Sequence, residues 1–228
     1  MSEARDRPAV TLSWAQSIDG SVSAGRGVRT ALSGPASLAM THRLRSEHQA
    51  ILVGIGTVLA DNPRLNVRLV PEPGFQPDPR PGPRPVVLDS DLRTPPLSAL
   101  VARRDAKPLI LCAPGAKPSA RRDLEDRGCE IVEIDRDRDG RLSIESALAS
   151  LAGLGVSTLM VEGGAAVIAS FLRSRLVDRL VVTIAPCFLG GYNPFGIDGG
   201  GSLGLTLNEP RIELLGTDVV IDATPLWP

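Results

Sequence analysis

Short apolar runs recur along this chain, spaced so that one helix fits between most neighbours. Residues 10–14 (VTLSW) form the first, closed by the turn signal Asp19-Gly20. Ser33-Gly34-Pro35 predicts a helix start, with Ser33 as N-cap and Pro35 in the first turn, and the helix runs to about Glu47. AILVGI at 50–55 is apolar without alternation, the pattern of a strand covered on both faces. PVVLD at 85–89 predicts a further strand. Beyond it the alternation becomes regular, with strands at 108–113, 129–134, 157–162 and 178–186. Helices are expected between them at 119–127 (stopped by Gly128), 143–154 (capped by Ser143) and 164–173.

This order predicts an α/β chain with a three-layer α/β/α architecture around a mostly parallel sheet. The tail RIELLGTDVVIDA (211–223) differs. It reads as two strands about Gly216-Thr217-Asp218, an antiparallel hairpin at the edge that makes the sheet mixed. One domain over 1–228 accounts for the pattern, with residues 1–7 and the stretch 71–85, which holds seven prolines, expected to be flexible and exposed.

Composition narrows the function classes. The net charge of −1 and 3% aromatic content argue against a nucleic-acid partner, which a basic, aromatic-bearing surface would serve. No apolar stretch reaches the ~20 residues of a membrane span, and the charged MSEARDRP start is not a secretory signal, so a cytoplasmic protein is expected. Cys112, Cys129 and Cys187 form no CxxC pair. His42 and His48 are six residues apart, about 240° around a helix, so they do not share a face that would chelate a metal. No metal is expected.

Candidate chemistry gathers at three strand ends, where ligands of open α/β sheets collect. In VEGGAA (161–166) a buried strand meets a helix; the glycines either let backbone N–H groups approach a phosphate or serve a tight turn. GIGTVLADNPRL (54–65) places Thr57, Asp61, Asn62 and Arg64 beyond a buried strand, without the GxGxxG order of a dinucleotide fingerprint or the GK[ST] of a P-loop. VLDSDLRTP (87–95) adds Ser90, Asp91 and Arg93. The glycine-rich 189–201 segment is either a ligand-wrapping lid or a floppy loop. With no nucleophile elbow, Ser/His/Asp set or metal cluster, a reaction carried by an organic cofactor fits these residues best.

SIDG (17–20), LRSEHQAILVGIGTVLADNPRLNVR (44–68), VVLDSDLRTP (86–95), VEGGAAVIASFL (161–172) and DRLVVTIAPCFLGG (178–191) together resemble the reductase domain of riboflavin biosynthesis, a relative of dihydrofolate reductase. The resemblance spans about residues 8–222 in the family's order. It implies a dihydrofolate-reductase-like fold, NADPH as cofactor, and reduction of a 5′-phosphorylated ribosylaminopyrimidine to its ribitylamino counterpart, by hydride delivery to C1′ of the ribose. The zinc deaminase signature that precedes this domain in most bacteria is absent, so a stand-alone form and, by family habit, a homodimer are expected. Both the deaminated and the diamino pyrimidine stay open as substrates, with dihydrofolate or another pterin as the alternative of the same fold.

The resemblance also implies site residues. Arg45, Leu65, Arg68 and Glu162 are expected to contact substrate, with Arg64 as a neighbour. Ala15, Thr30, Thr57, Asp61, Ser90, Gly163, Gly164, Ala165, Ala166 and Val167 are expected to contact the cofactor, and Asp61 is the candidate for assisting proton transfer. Many family members carry lysine at the position of Ser13 and tryptophan near Thr30.

Overall fold

The computed structural model describes residues 6–69, 82–196 and 203–228. In chain order these form β1 (Ala9–Ser17), α1 (Pro35–Ser46), β2 (Ala50–Gly54), α2 (Ile55–Asp61), β3 (Arg84–Leu88), β4 (Leu109–Cys112), α3 (Pro118–Glu125), β5 (Glu130–Glu133), α4 (Ile144–Gly153), β6 (Thr158–Val161), α5 (Ala165–Ser174), β7 (Arg179–Ala185), a 3₁₀ turn (Pro194–Gly196), β8 (Thr206–Leu215) and β9 (Asp218–Leu226). Among the described residues the nine strands make one sheet, ordered β5-β4-β3-β2-β6-β1-β7-β9-β8. Every neighbouring pair from β5 to β7 is parallel. β9 runs antiparallel to β7, and β8 antiparallel to β9, so the expected hairpin closes the sheet at one edge.

Two hydrophobic layers sandwich the sheet. One packs Leu148 and Leu151 of α4 and Ile168, Phe171 and Leu172 of α5 against Val10, Leu12, Leu52, Leu159 and Val161. The other packs Met40 and Leu44 of α1, Val58 of α2 and Leu124 of α3 against Ile51, Val53, Val87, Ile110 and Met160. Alternate residues of β2 therefore enter opposite layers and all are apolar, as the unbroken AILV run requires. After β5 the chain returns to place β6 between β2 and β1. The direction of strand addition reverses there, and a crevice opens at the carboxyl rim.

Local details differ from the sequence reading in ways that have physical causes. Ser143 caps α4 as expected, its Oγ accepting from the Ser146 N–H at 3.1 Å. Ser33 does not cap α1. The N-cap is Gly34, whose N–H donates to Asp218 Oδ2 at 2.8 Å, and the Ser37 hydroxyl donates to the same oxygen. A buried carboxylate at the start of β9 outcompetes a neutral hydroxyl there, because it takes two donors and complements the positive helix end. The segment after β2, for which the sequence pattern predicts no helix, forms the helix α2, and Ile55 opens it rather than ending the strand. It has seven residues and ends at Asn62, which takes the left-handed conformation (φ 44°) and is followed by Pro63. β1 and β8 extend beyond their predicted ends, β8 through a bulge at Asn208/Arg211. Arg84, expected within the proline-rich loop, begins β3 one residue ahead of the predicted strand; residues 71–81 and 1–5 of the expected flexible stretches lie outside the described residues. Within the described residues no helix is long and apolar enough to cross a membrane.

His42 of α1 is fully buried. Its Nδ1 accepts the Arg68 N–H at 3.2 Å, which leaves the proton on Nε2, and Nε2 has no partner among the described residues. Burial, then the nearby Arg45 and Arg68 charges, push its pKa down to about 4. The unfolded chain takes up this proton near the ordinary value of about 6.5, whereas the fold resists it. Stability is therefore complete above that value and falls by up to about 3 kcal/mol as pH drops toward 4. Urea unfolding at pH 7.5 and pH 4.5 is expected to show this loss in the wild type and a smaller loss in His42→Gln.

Candidate active site

The carboxyl rim holds a cleft of about 830 Å³ lined by residues from five adjacent strands: Leu88 (β3), Gly54 (β2), Glu162 (just past β6), Trp14 and Ala15 (β1) and Thr183 (β7). Two kinds of wall face each other across it, one on each side of the sheet.

On the α1 side, Arg45 and Glu162 form a buried, bidentate ion pair. Arg45 Nε donates to Glu162 Oε1 and Nη2 to Oε2, both at 2.6 Å, while Nη1 donates to the Asn66 carbonyl at 3.0 Å. Their side chains are 10% and 15% exposed, enough for both to line the cleft. Burial opposes the arginine's charge, and the facing carboxylate outweighs it, so its pKa is raised. Each Glu162 oxygen keeps a lone pair beyond the one given to Arg45, so the carboxylate can still accept from a bound N–H or O–H. Arg68 sits outside the lining but feels Arg45, Arg64 and Arg29. Burial first, then those like charges, lower its pKa. This corner is electropositive and suits an anionic group.

On the other side, the VEGG turn leads into α5. A Cβ on Gly163 would lie 2.4 Å from Val167 Cβ, so close packing of turn against helix demands glycine here. No side chain caps α5, whose N-cap is Gly164. The Val167 N–H turns back to the Gly164 carbonyl at 2.9 Å; among the described residues nothing takes the N–H groups of Gly164, Ala165 and Ala166, which are left to water or to an anion in the cleft that these residues line. Thr57 of α2 stands directly across, its Oγ1 3.2 Å from the position a Gly164 Cβ would take.

Asp61 ends α2 at the cleft mouth, 3.9 Å from Arg29, with a side chain 35% exposed. Burial raises its pKa and Arg29 partly offsets the rise. The carboxyl is a readier proton carrier than a free aspartate.

Twelve of the fourteen residues named from the sequence line this one cleft: Ala15, Thr30, Arg45, Thr57, Asp61, Ser90, Glu162, Gly163, Gly164, Ala165, Ala166 and Val167. Leu65 does not. It is buried in the α1-side core with φ 49°, and its carbonyl accepts from Arg103 Nη1 at 2.5 Å. Arg68 is the other exception. Trp14, Ser23, Thr183 and Tyr192 also line the cleft without having been expected there, and so does Ser13, noted above only as a departure from the family. Ser13 and Thr183 are buried hydroxyls between apolar neighbours, Leu12 and Trp14 in β1 and Val182 and Ile184 in β7, a signal present in the sequence. Tyr192 reaches the cleft only through loop folding. Segment 189–196 is not free: Tyr192 bridges to Ser23, while 197–202 lie outside the described residues. Among the described residues no His/Cys/Asp/Glu group could hold a metal ion.

Comparison with known proteins follows the same lines. The 2,5-diamino-6-ribosylamino-4(3H)-pyrimidinone 5′-phosphate reductase of Methanothermobacter thermautotrophicus is 36% identical over 225 residues, covering 96% of this chain and 98% of that protein. The riboflavin biosynthesis protein RibD of Aquifex aeolicus is 33% identical over 219 residues, 95% of this chain, and the chain spans only 58% of its length. The solved structure of the Saccharomyces cerevisiae riboflavin biosynthesis reductase Rib7 superposes with a TM-score of 0.73 at 30% identity, covering 99% of this chain and 93% of that one. The family described as RibD C-terminal domain matches residues 8–221, and with relatives of this identity and coverage the chain belongs to that family.

Proposed function

We propose that this protein is an NADPH-dependent reductase of riboflavin biosynthesis that converts a 5′-phosphorylated ribosylaminopyrimidine to the ribitylaminopyrimidine. The observation that carries the reading is the two-walled cleft. An uncapped α5 N-terminus stands on one side of the sheet and the Arg45–Glu162 pair with its electropositive surroundings on the other. The glycine-lined turn and the open N–H groups of Gly164, Ala165 and Ala166 fit a diphosphate, with Thr57, Ala15 and Thr30 toward the nicotinamide half and Ser90 toward the adenosine half. When bound, the nicotinamide supplies the hydride.

The chain's own residues do the remaining work. Glu162 accepts from donors on the pyrimidine, and Arg45, held by Glu162 and the Asn66 carbonyl, keeps that carboxylate in place. Arg68, with Arg64 beside it, faces the substrate phosphate. Leu65 supports this segment from the core beneath. Holding C1′ of the open, imine-like ribosylamine against the hydride donor supplies most of the rate. Asp61 assists the proton transfer that accompanies opening of the sugar ring. The protein acts in the cytoplasm as a homodimer, without nucleic acid or membrane. Supporting association, Ile212 and Leu214 of the edge strand β8 are 66% and 71% exposed.

Three measurements test this reading. NADPH oxidation followed at 340 nm, with the diaminopyrimidine and the uracil phosphates in parallel, is expected to proceed with one of them; no oxidation with either rejects the reductase reading. Asp61→Ala is expected to lower kcat by about 10²–10⁴-fold while still binding both ligands, and normal turnover by that variant removes Asp61 from the proton path. Light scattering is expected to give twice the chain mass of 24.0 kDa, with a shift toward monomer in Ile212→Lys/Leu214→Lys.

A further inference from the structure

The turn after β1 and the segment after β7 are joined by one carboxylate. Asp19 Oδ1 accepts from the Ser17 hydroxyl at 2.6 Å and the Leu189 N–H at 2.9 Å. Oδ2 accepts from the Ser21 hydroxyl at 2.6 Å and the Gly190 N–H at 2.9 Å. Four donors thus converge on two oxygens, two from each segment. Ser17 and Ser21 are fully buried, and Ser21 Oγ in turn accepts the Gly191 N–H at 2.9 Å. Beyond this knot the segments zip together. The Val22 N–H donates to the Tyr192 carbonyl and the Tyr192 N–H to the Ser23 carbonyl, both at 2.8 Å. The approach is tight: a Cβ on Gly191 would lie 2.2 Å from the Ser23 carbonyl oxygen, so residue 191 has no space for a side chain. Farther on, Phe195 meets Trp14 edge-to-face with centroids 6.5 Å apart.

Asp19 is exposed and does not line the cleft, whereas Trp14, Val22, Ser23 and Tyr192 do. Val22 packs on the same core layer as α5. We propose that Asp19 is a positioning residue that holds the Val22–Ser23 and Tyr192 wall of the cleft in register, and so shapes the end of the cofactor site that lies over β1 and β7. The proposal rests on the cofactor reading above. The hydroxyls of Ser17 and Ser21, then the Leu189 N–H, hold the Asp19 carboxyl well below the usual range, so it keeps its accepting form throughout the working pH range. An amide cannot replace it, because one of its two arms carries hydrogens toward the incoming N–H donors.

β1 and β7 lie three and four strands from β3, about 14–19 Å at the usual strand spacing. Binding of the whole dinucleotide and of its adenosine end should therefore respond differently to Asp19. In Asp19→Asn, NADPH affinity measured by calorimetry is expected to fall about tenfold, while 2′,5′-ADP affinity stays within about twofold of wild type. Amide hydrogen exchange is expected to quicken about tenfold or more in 17–24 and 187–196, with β2 and β6 unchanged. Ser21→Ala, which removes one donor to Asp19 and the acceptor for Gly191, is expected to show the same pattern more weakly and covers the case in which Asp19→Asn fails to fold. Unchanged exchange in those segments, unchanged NADPH affinity, or equal weakening of both ligands overturns the proposal. Should wild type bind neither ligand, the cofactor reading fails and with it the site that Asp19 would shape; the exchange data then decide only the latch.

Discussion

Strands β3, β2 and β6 send apolar side chains into both helical layers, and this double burial governs where polar chemistry can stand on them. A carboxylate or hydroxyl in the middle of such a strand would lose hydration on either face with nothing in either layer to replace it. On these three strands polar groups are therefore displaced to the points where the strand ends and the backbone turns. Because the neighbouring pairs from β5 to β7 are all parallel, those ends lie on one rim. Glu162, the first residue past β6, marks that transition: Val161 is completely buried, and the next side chain reaches the cleft.

At the rim the two layers contribute different chemistry. α1 and α2 supply side-chain charge, with Arg45 gripping Glu162 from below and Asp61 standing at the mouth. α5 supplies backbone dipole, its first turn uncapped and screened by no side chain of its own. A buried ion pair such as Arg45–Glu162 contributes little net stability, since desolvation offsets most of its attraction. Removing one partner is a different matter, costing about 3–5 kcal/mol because the other is stranded. The pair is better understood as a device of orientation. It aims a carboxylate with spare lone pairs into the cleft.

The antiparallel hairpin bears on the site from a distance. Asp218, opening β9, supplies the carboxylate that anchors the start of α1, and α1 carries both His42 and Arg45. The helix that positions the ion pair is thus held at its amino end by the sheet's last hairpin. Across the cleft Asp19 plays a comparable part between the segments after β1 and β7. In both places an aspartate collects N–H and O–H donors, at least two of them 170 or more residues away along the chain, and one side chain sets the relation of two elements.

Much of this was written in local patterns. The unalternating AILV run announced a strand covered twice, Ser143 announced its helix, and the order of strands and helices announced a parallel sheet with an edge hairpin. The glycines of VEGG marked a close approach, and twelve of fourteen named site residues share one cleft because strand ends of a parallel sheet must share a rim. What sequence did not disclose depends on partners distant along the chain. The α1 cap lies at Asp218 rather than Ser33, 184 residues from Gly34, and no local signal competes with a carboxylate arriving from another element. α2 is too short for helical periodicity to speak and takes shape by wedging Ile55 and Val58 into the α1-side core. Tyr192 and Asp19 acquire their places only when β7 lies beside β1. Sequence by itself determined which residues had to be buried and which had to turn, because hydration and backbone sterics act locally; tertiary structure decided which charges met, because electrostatic and hydrogen-bond partners are chosen by distance in space.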